Sequence, residues 1–285
     1  MADVVKPALT TTDWNEEWKA LQTARAHPDD ATEWNERSKT FHTAHGTHSN
    51  YSNAFLQLAG VRPGETVFDM GCGTGALAIP LGADGHRVIA ADFASGMIDV
   101  VRETAAEDGI DCIETHVMSW SDDWAAHGLE GAFADVAFAS RSIATADLQE
   151  SLLKLHRAAR RRVCITLPLG ASPRVDEKLL TDLGLQNLTG RDFVYAFNIL
   201  VANDIHPEIN YIPSRRKETF SSPADAVAKL ENIVRGATRT VDAAEVERAL
   251  ASLPAWVDAN LIQDGDTYRL AEERIVTWAF ISWDK

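Results

Sequence analysis

The chain has 285 residues, of which 45% are hydrophobic and 24% are charged, as is usual for a globular protein. Its formal net charge of −15 argues against nucleic acid as a partner, because an acidic surface repels a phosphate backbone. No apolar run reaches the ~20 residues of a membrane span and no signal-peptide pattern is visible, so we expect a cytoplasmic protein that does not bind a membrane.

The first segment, residues 1–60, is predicted to form a helical cap. Asp13, with Glu16 three residues later, is typical of a helix start. Two further helices are predicted over residues 29–42 and 53–60.

Residues 61–285 are predicted to form one domain in which short apolar strands alternate with helices. The strand candidates, all rich in Val, Ile or Phe, are TVFDM, RVIAAD, CIETHVM, ADVAFAS and RVCITLP. Such alternation predicts a mostly parallel sheet with helices on both faces. The basic run RAARRR at residues 157–162 is interpreted as solvated charges at a helix C-terminus.

Within this domain, residues 171–260 are predicted to be a mostly helical elaboration on the substrate side. Ser222 followed by Pro223 resembles a helix N-cap with proline at the first helical position. Another helix is predicted over residues 242–252. Residues 267–283 are expected to close the chain as one or two strands.

The most informative segment is DMGCGTG, residues 69–75, which follows the first strand and opens a helix. Glycines there allow a tight turn and a close approach of the backbone to a ligand. One interpretation is the dinucleotide pattern Gly71-x-Gly73-x-x-Ala76, which binds a pyrophosphate at the helix N-terminus. Asp69 argues against it, because a carboxylate repels a diphosphate and favours a positive group such as an α-ammonium.

The segment VFDMGCGTG resembles motif I of the class I S-adenosylmethionine-dependent methyltransferases, and Asp92 matches the second acidic position of that family. The resemblance implies a doubly wound α/β fold: a seven-stranded, mostly parallel, Rossmann-like sheet whose last strand is antiparallel. We expect an N-terminal helical cap and a C-terminal helical insertion around it. The resemblance also implies S-adenosylmethionine as the cofactor and S-adenosylhomocysteine as the product.

In this family the carboxylate at the position of Asp92 binds both ribose hydroxyls, and Phe93 and Met97 match residues that flank the adenine. The segment after the third strand should run along the edge of the adenine. Ser119 and Trp120 are the candidate contacts in it, although Trp120 could equally be a core residue. The cofactor-binding residues implied by the resemblance are Asp69, Gly71, Cys72, Gly73, Gly75, Asp92, Phe93, Met97, Ser119, Trp120 and Ser140.

The residues that bind the methyl acceptor are less well defined. Methyl transfer requires that the two reactants are aligned and water is excluded, and it needs no fixed catalytic triad. His45, His48 and Tyr211 are candidate bases. Tyr51 and Arg141 are candidate substrate contacts, and Arg141 could reach a substrate carboxylate or form an ordinary salt bridge. His42, His45 and His48 are spaced by three, but Gly46 interrupts the helix that would place them on one face, so no metal site is predicted.

We therefore predict methyl transfer to a small molecule, with the acceptor atom open. The fourth strand lacks the Asn/Asp-Pro-Pro-Tyr/Phe pattern of enzymes that methylate amines of bases, which also argues against nucleic acid. Two alternatives stay open: a nicotinamide-dependent oxidoreductase, and a non-catalytic regulatory protein that only binds S-adenosylmethionine. A homodimer is one option for the oligomeric state.

Overall fold

The computed structural model describes residues 11–25, 31–32, 34–36, 38, 50–170, 176–185, 191–216, 218–236 and 242–285. The helix predicted over residues 29–42 lies mostly outside this set. The helices are α1 (Trp14–Arg25), α2 (Asn50–Ala59), α3 (Ala78–Ala83), α4 (Ser95–Glu107), α5 (Leu148–Ala158), α6 (Glu177–Asp182), α7 (Asp192–Ala202), α8 (Pro223–Gly236) and α9 (Ala243–Asn260). The strands are β1 (Val67–Met70), β2 (Val88–Asp92), β3 (Ile113–Val117), β4 (Ala134–Ser140), β5 (Ala159–Pro168), β6 (Glu208–Arg216), β7 (Leu261–Asp264), β8 (Thr267–Leu270) and β9 (Arg274–Asp284). Among the described residues, no helix combines the length and apolar composition that crossing a bilayer requires.

Seven strands form the main sheet in the order β3-β2-β1-β4-β5-β9-β6. The pairs from β3 to β5 are parallel, whereas β9 runs antiparallel to both β5 and β6. The chain adds β2 and β3 on one side of β1 and then returns to add β4 on the other side. In such sheets, ligands bind outside the carboxyl ends of the strands at this reversal of order. The predicted doubly wound, seven-stranded α/β fold is confirmed.

The side chains of β1 alternate between the two faces of the sheet, as a strand requires. Phe68 and Met70 belong to the apolar cluster that α5 and α7 cover, whereas Val67 belongs to the cluster under α2, α3 and α4. Burial on both faces of the parallel sheet explains why its inner strands β1, β2 and β4 are mostly apolar. Asp69 therefore points to the face covered by α2, α3 and α4.

The N-terminal segment predicted as one helical cap contributes a helix to each face of the sheet. The helix start predicted at Asp13 is confirmed, since its carboxylate accepts the main-chain N–H of Glu16 at 3.1 Å. Arg25 holds α1 to α7 through two hydrogen bonds to the carboxylate of Asp192, at 2.9 and 2.7 Å. On the opposite face, Phe55 of α2 packs edge-on against two phenylalanine rings of the sheet.

The interpretation of RAARRR as solvated charges at a helix end is wrong. The helix α5 ends at Ala158, and residues 160–162 belong to β5. Each of these three arginines pairs with a carboxylate from elsewhere in the chain, namely that of Asp135, Glu65 or Asp284. The strand can begin with charged residues because distant acids neutralise them, which no local pattern reveals.

The C-terminal insertion is a smaller unit with an apolar core of its own, formed by α6, α8, α9 and the β7-β8 hairpin. The N-cap predicted at Ser222 is confirmed by a 3.1 Å hydrogen bond from the N–H of Asp225. The helix α9 continues past the predicted end at residue 252, through Pro254, because Val257 extends its buried stripe. The strand β7 was not predicted, and β6 joins the main sheet although it lies within the predicted elaboration.

Candidate cofactor site

The three glycines of the loop after β1 all have positive φ angles, and the structure distinguishes their roles. A Cβ at Gly71 would lie 2.3 Å from the Cβ of Ser142, and one at Gly75 would lie 2.9 Å from Cγ1 of Ile79. A Cβ at Gly73, where φ is +55°, would meet no described atom within 4 Å. Gly71 and Gly75 therefore let the loop pack against the protein, whereas Gly73 borders open space.

Asp69 lies at the carboxyl end of β1, between β2 and β4. It is 1% exposed, and neither of its carboxylate oxygens has a hydrogen-bond partner among the described residues. Burial, with a smaller contribution from the charge of Asp92, raises the pKa of Asp69 to about 7. A buried carboxylate without a partner is costly, so this position favours a ligand that brings a positive charge and hydrogen-bond donors.

The carboxylate of Asp92, at the end of β2, lies against the glycine loop. It accepts the main-chain N–H of Gly73 at 2.9 Å and that of Ala94 at 3.0 Å. These charge-assisted hydrogen bonds fix the carboxylate beside Gly73. The open space at Gly73 therefore has an acidic group at its edge.

Phe93 and Met97 follow Asp92 at the entry to α4. Phe93 is half-buried, whereas Met97 is 2% exposed. The side-chain oxygen of Asn35 accepts the main-chain N–H of Gly96 at 2.8 Å, so the N-terminal segment also reaches the start of α4. Asn35 was not predicted as a site residue, because it lies 61 positions from Gly96 and no local pattern links the two.

The segment after β3 lies next to the glycine loop through Trp120. The indole N–H of Trp120 donates to the carbonyl oxygen of Ser142 at 2.9 Å. The hydroxyl of Ser142 donates to the carbonyl oxygen of Met70 at 2.7 Å, directly before the loop. Ser119 donates its main-chain N–H to Asp122 at 2.8 Å, and this bond holds the pKa of Asp122 below its ordinary value. Sequence reasoning missed Ser142, whose only signal is a small polar residue just after β4.

Cys72 occupies the loop between Gly71 and Gly73 and is 6% exposed. Burial raises the pKa of its thiol well above the ordinary value, so the sulfur stays protonated at neutral pH. Its Sγ lies 3.5 Å from the carbonyl oxygen of Gly73. Cys72 therefore acts as a small apolar residue of the loop.

Tyr51 of α2 contacts the carboxyl ends of both β4 and β5. Its hydroxyl lies 2.8 Å from the hydroxyl of Ser140 and 2.7 Å from that of Thr166. The ring is 3% exposed, and burial raises the pKa of the phenol. The guanidinium carbon of Arg141 lies 4.1 Å from the centroid of the same ring. Tyr51 and Arg141, both predicted on the acceptor side, thus lie in contact with each other and beside Ser140.

We expect Tyr51→Phe to lower the free energy of unfolding by about 1–2 kcal/mol, because the change removes both hydrogen bonds of the phenol hydroxyl, to Ser140 and to Thr166. Urea denaturation measures this difference. Tyr211→Phe is the matched control, since that side chain is 54% exposed, and it should change stability by less than about 0.5 kcal/mol. Equal losses in the two variants would contradict the role given to the Tyr51 hydroxyl.

The other residues predicted on the acceptor side do not lie in the described cluster of Tyr51, Ser140, Arg141 and Thr166. Tyr211 lies on the edge strand β6, two strand spacings or roughly 10 Å from β5, and its ring contacts Phe193 of α7 on the opposite face of the sheet from Tyr51. His45 and His48 lie outside the described residues. Within the described part of the chain, no group of three or more His, Cys, Asp or Glu residues is placed to hold a metal ion.

Residues 67–162 match the family model of a methyltransferase domain. The matched range runs from β1 into β5, so it contains the glycine loop, Asp92 and the segment around Trp120. The match covers about a third of the chain, and both it and the sheet order agree with the predicted resemblance to the class I S-adenosylmethionine-dependent methyltransferases.

An uncharacterized protein of Haemophilus influenzae is 32% identical over 167 residues, which are 59% of this chain and 60% of that protein. The chain thus covers less than two thirds of that relative's length. A solved structure from Bacillus halodurans C-125 has the same fold, with a TM-score of 0.50, 10% identity, and coverage of 82% of this chain and 98% of that one. A phosphoethanolamine N-methyltransferase 2 from Haemonchus contortus, solved with phosphomonomethylethanolamine and S-adenosylhomocysteine, gives a TM-score of 0.48 at 14% identity, over 96% of this chain and 60% of that one.

Proposed function

We propose that this protein transfers a methyl group from S-adenosylmethionine to a small-molecule acceptor. The observation that carries the proposal is the carboxylate of Asp69, which is buried, has no partner among the described residues and lies at the strand end that leads into the glycine loop. The α-ammonium group of the cofactor supplies both the positive charge and the N–H donors that this carboxylate lacks. A dinucleotide instead carries a diphosphate, which two neighbouring carboxylates would repel.

The remaining residues of the site fit the rest of the cofactor. Asp92, whose carboxylate the main-chain hydrogen bonds hold beside Gly73, is the proposed partner of the ribose hydroxyls. Phe93 and Met97 are the proposed neighbours of the adenine, with Ser119 and Trp120 at its edge. Ser140 is the proposed neighbour of the methionine portion.

When bound, the cofactor supplies a methyl group on an electrophilic sulfonium, so the protein has mainly to orient the two reactants and exclude water. Tyr51 and Trp278, which lie beside the carboxyl ends of β4 and β5 and are 3% and 5% exposed, are the residues proposed to exclude water. The raised pKa of the Tyr51 phenol keeps it neutral at physiological pH, so it is a poor general base.

A small molecule is the proposed acceptor because the net charge of −15 disfavours both nucleic acid and anionic lipid surfaces. The charge does not distinguish methylation of oxygen, nitrogen or carbon.

Calorimetric titrations with S-adenosylhomocysteine and with NAD test the cofactor, and release of S-adenosylhomocysteine in the presence of acceptor mixtures tests the reaction. We expect S-adenosylhomocysteine to bind and NAD not to bind. Binding of NAD alone would favour the oxidoreductase. Binding of S-adenosylmethionine without product release from any acceptor mixture would favour the non-catalytic regulatory protein.

A further inference from the structure

We propose that Arg141 forms an anion-binding subsite that recognises a carboxylate or phosphate group of the methyl acceptor. This inference rests on the proposed function and adds the class of acceptor, namely a small molecule that carries an anionic oxygen group. Four features of the structure lead to it: the backbone at Arg141, the aromatic surroundings of its guanidinium, the lack of an acidic partner among the described residues, and its position relative to the glycine loop.

The backbone of Arg141 is held in a strained conformation. Its φ angle is 61°, in the left-handed region that residues other than glycine and asparagine rarely adopt. The main-chain N–H donates to the hydroxyl of Thr166 at 3.0 Å, so the neighbouring strand fixes this conformation. Strain of this kind persists where the surroundings impose it and concentrates at functional sites. Here it determines where the arginine side chain is presented.

The guanidinium of Arg141 lies beside two buried aromatic rings. Its carbon lies 4.1 Å from the ring centroid of Tyr51 and 5.7 Å from that of Trp278. Aromatic faces attract a cation but accept no in-plane N–H hydrogen bonds, so the donors at the edge of the guanidinium fork remain available. A planar fork with free donors matches the two oxygens of a carboxylate or phosphate.

Among the described residues, no carboxylate and no other acceptor meets the Arg141 guanidinium, although the chain has 42 acidic against 27 basic residues. The arginines at the start of β5 show the contrast, since each of them pairs with an acid. Even Asp69, whose own oxygens have no described partner, does not pair with Arg141. A half-buried cation with no acidic partner in the described part of the chain is costly, and a bound anion would remove that cost.

The position of Arg141 favours the acceptor rather than the cofactor as the source of the anion. It follows β4 directly before Ser142, the residue that abuts Gly71. The guanidinium lies near Trp278 of β9. In the sheet, β9 is on one side of β1, and Asp92, the proposed ribose contact, is on the other side at the end of β2. The subsite is therefore adjacent to the cofactor loop but extends away from the adenosine end.

The test uses the full-length protein saturated with S-adenosylhomocysteine and titrated with acetate, benzoate and inorganic phosphate, with benzamide as the neutral match to benzoate. We expect at least one anion to bind to the wild type and benzamide to bind at least about tenfold more weakly. Arg141→Met keeps a long side chain on the Tyr51 ring but removes the charge, and it should weaken anion binding at least about tenfold. The anion affinity of Arg141→Lys should lie between those of the wild type and Arg141→Met, because an ammonium keeps the charge but lacks the planar fork of donors.

Arg157→Met is the matched control, because it removes one positive charge from an exposed site at the end of α5, and it should bind the anion as the wild type does. The proposal is overturned if no anion binds, if benzamide binds as well as benzoate, or if Arg141→Met retains full anion affinity. It is also overturned if Arg141→Met loses affinity for S-adenosylhomocysteine itself, since the arginine would then serve the methionine carboxylate. Failure of the wild type to bind S-adenosylhomocysteine is a separate result, which refutes the proposed function.

Discussion

Asp69→Asn is expected to make the cofactor-free protein more stable at pH 8, by up to about 4 kcal/mol. The pKa of about 7 for Asp69, against an ordinary value of 3.8, means that ionising this carboxyl group costs the folded protein that amount of free energy. Asparagine has nearly the same shape and stays neutral. Urea denaturation at several pH values measures the difference.

The sign of the pH dependence distinguishes this effect from general charge effects. Between pH 4 and pH 7 the folded protein retains a proton on Asp69 that the unfolded chain has released. The contribution of this group to the free energy of unfolding is therefore largest below about pH 4, falls as the pH rises to about 7, and is then constant. The advantage of Asp69→Asn over the wild type should grow across this window, and an advantage independent of pH would contradict the assignment.

The same substitution should weaken cofactor binding, because an amide gives up the charge that attracts an α-ammonium group. In the wild type, the affinity for S-adenosylhomocysteine should decrease about tenfold for each pH unit below 7, since binding then requires release of the Asp69 proton. Calorimetry of Asp69→Asn should show little of this dependence. Asp108→Asn, at an exposed position, is the control and should behave as the wild type in both measurements.

Gly73→Val is expected to remove binding of S-adenosylhomocysteine, by at least about 100-fold, while the protein still folds. Its side chain would enter the open space beside Asp92 rather than collide with described atoms, so it competes with a ligand and not with the protein's own packing. Left-handed backbone costs a non-glycine residue about 1–2 kcal/mol, which the fold must absorb.

Gly85→Val provides the control for that backbone cost. Gly85 also has a positive φ, +83°, and a Cβ there meets no described atom within 4 Å, but the residue lies in the turn between α3 and β2. Both variants should lose similar amounts of stability in urea denaturation, and only Gly73→Val should lose binding in calorimetry. Retained binding in Gly73→Val would show that the space beside this glycine is not the cofactor site.

The fold and the cofactor loop were predictable from sequence because local patterns encode them. Alternating apolar strands and helices predict a mostly parallel sheet covered on both faces, and the family resemblance implies its doubly wound order. The acid-plus-glycine pattern at residues 69–75, which carries that resemblance, is contiguous. The three glycines nevertheless look alike in the sequence. They differ in the structure because Gly71 meets a residue 71 positions away, whereas Gly73 meets none of the described atoms.

Contacts between distant segments account for what the sequence did not reveal. Ser142 and Thr166 became visible as site residues only through their hydrogen bonds to Met70 and Tyr51. The basic start of β5 was misread for the same reason, since its three acids come from other elements. Such pairings depend on tertiary packing, which propensity and periodicity do not encode.

The insertion formed by α6, α8, α9 and the β7-β8 hairpin shares none of its described core residues with the two clusters of the main sheet. Arg274 at the start of β9 links the two parts through Glu218 and Asp176. This division makes the chain modular. A substitution in the core of the insertion should therefore leave the packing of the main sheet unchanged, so the two parts can vary independently.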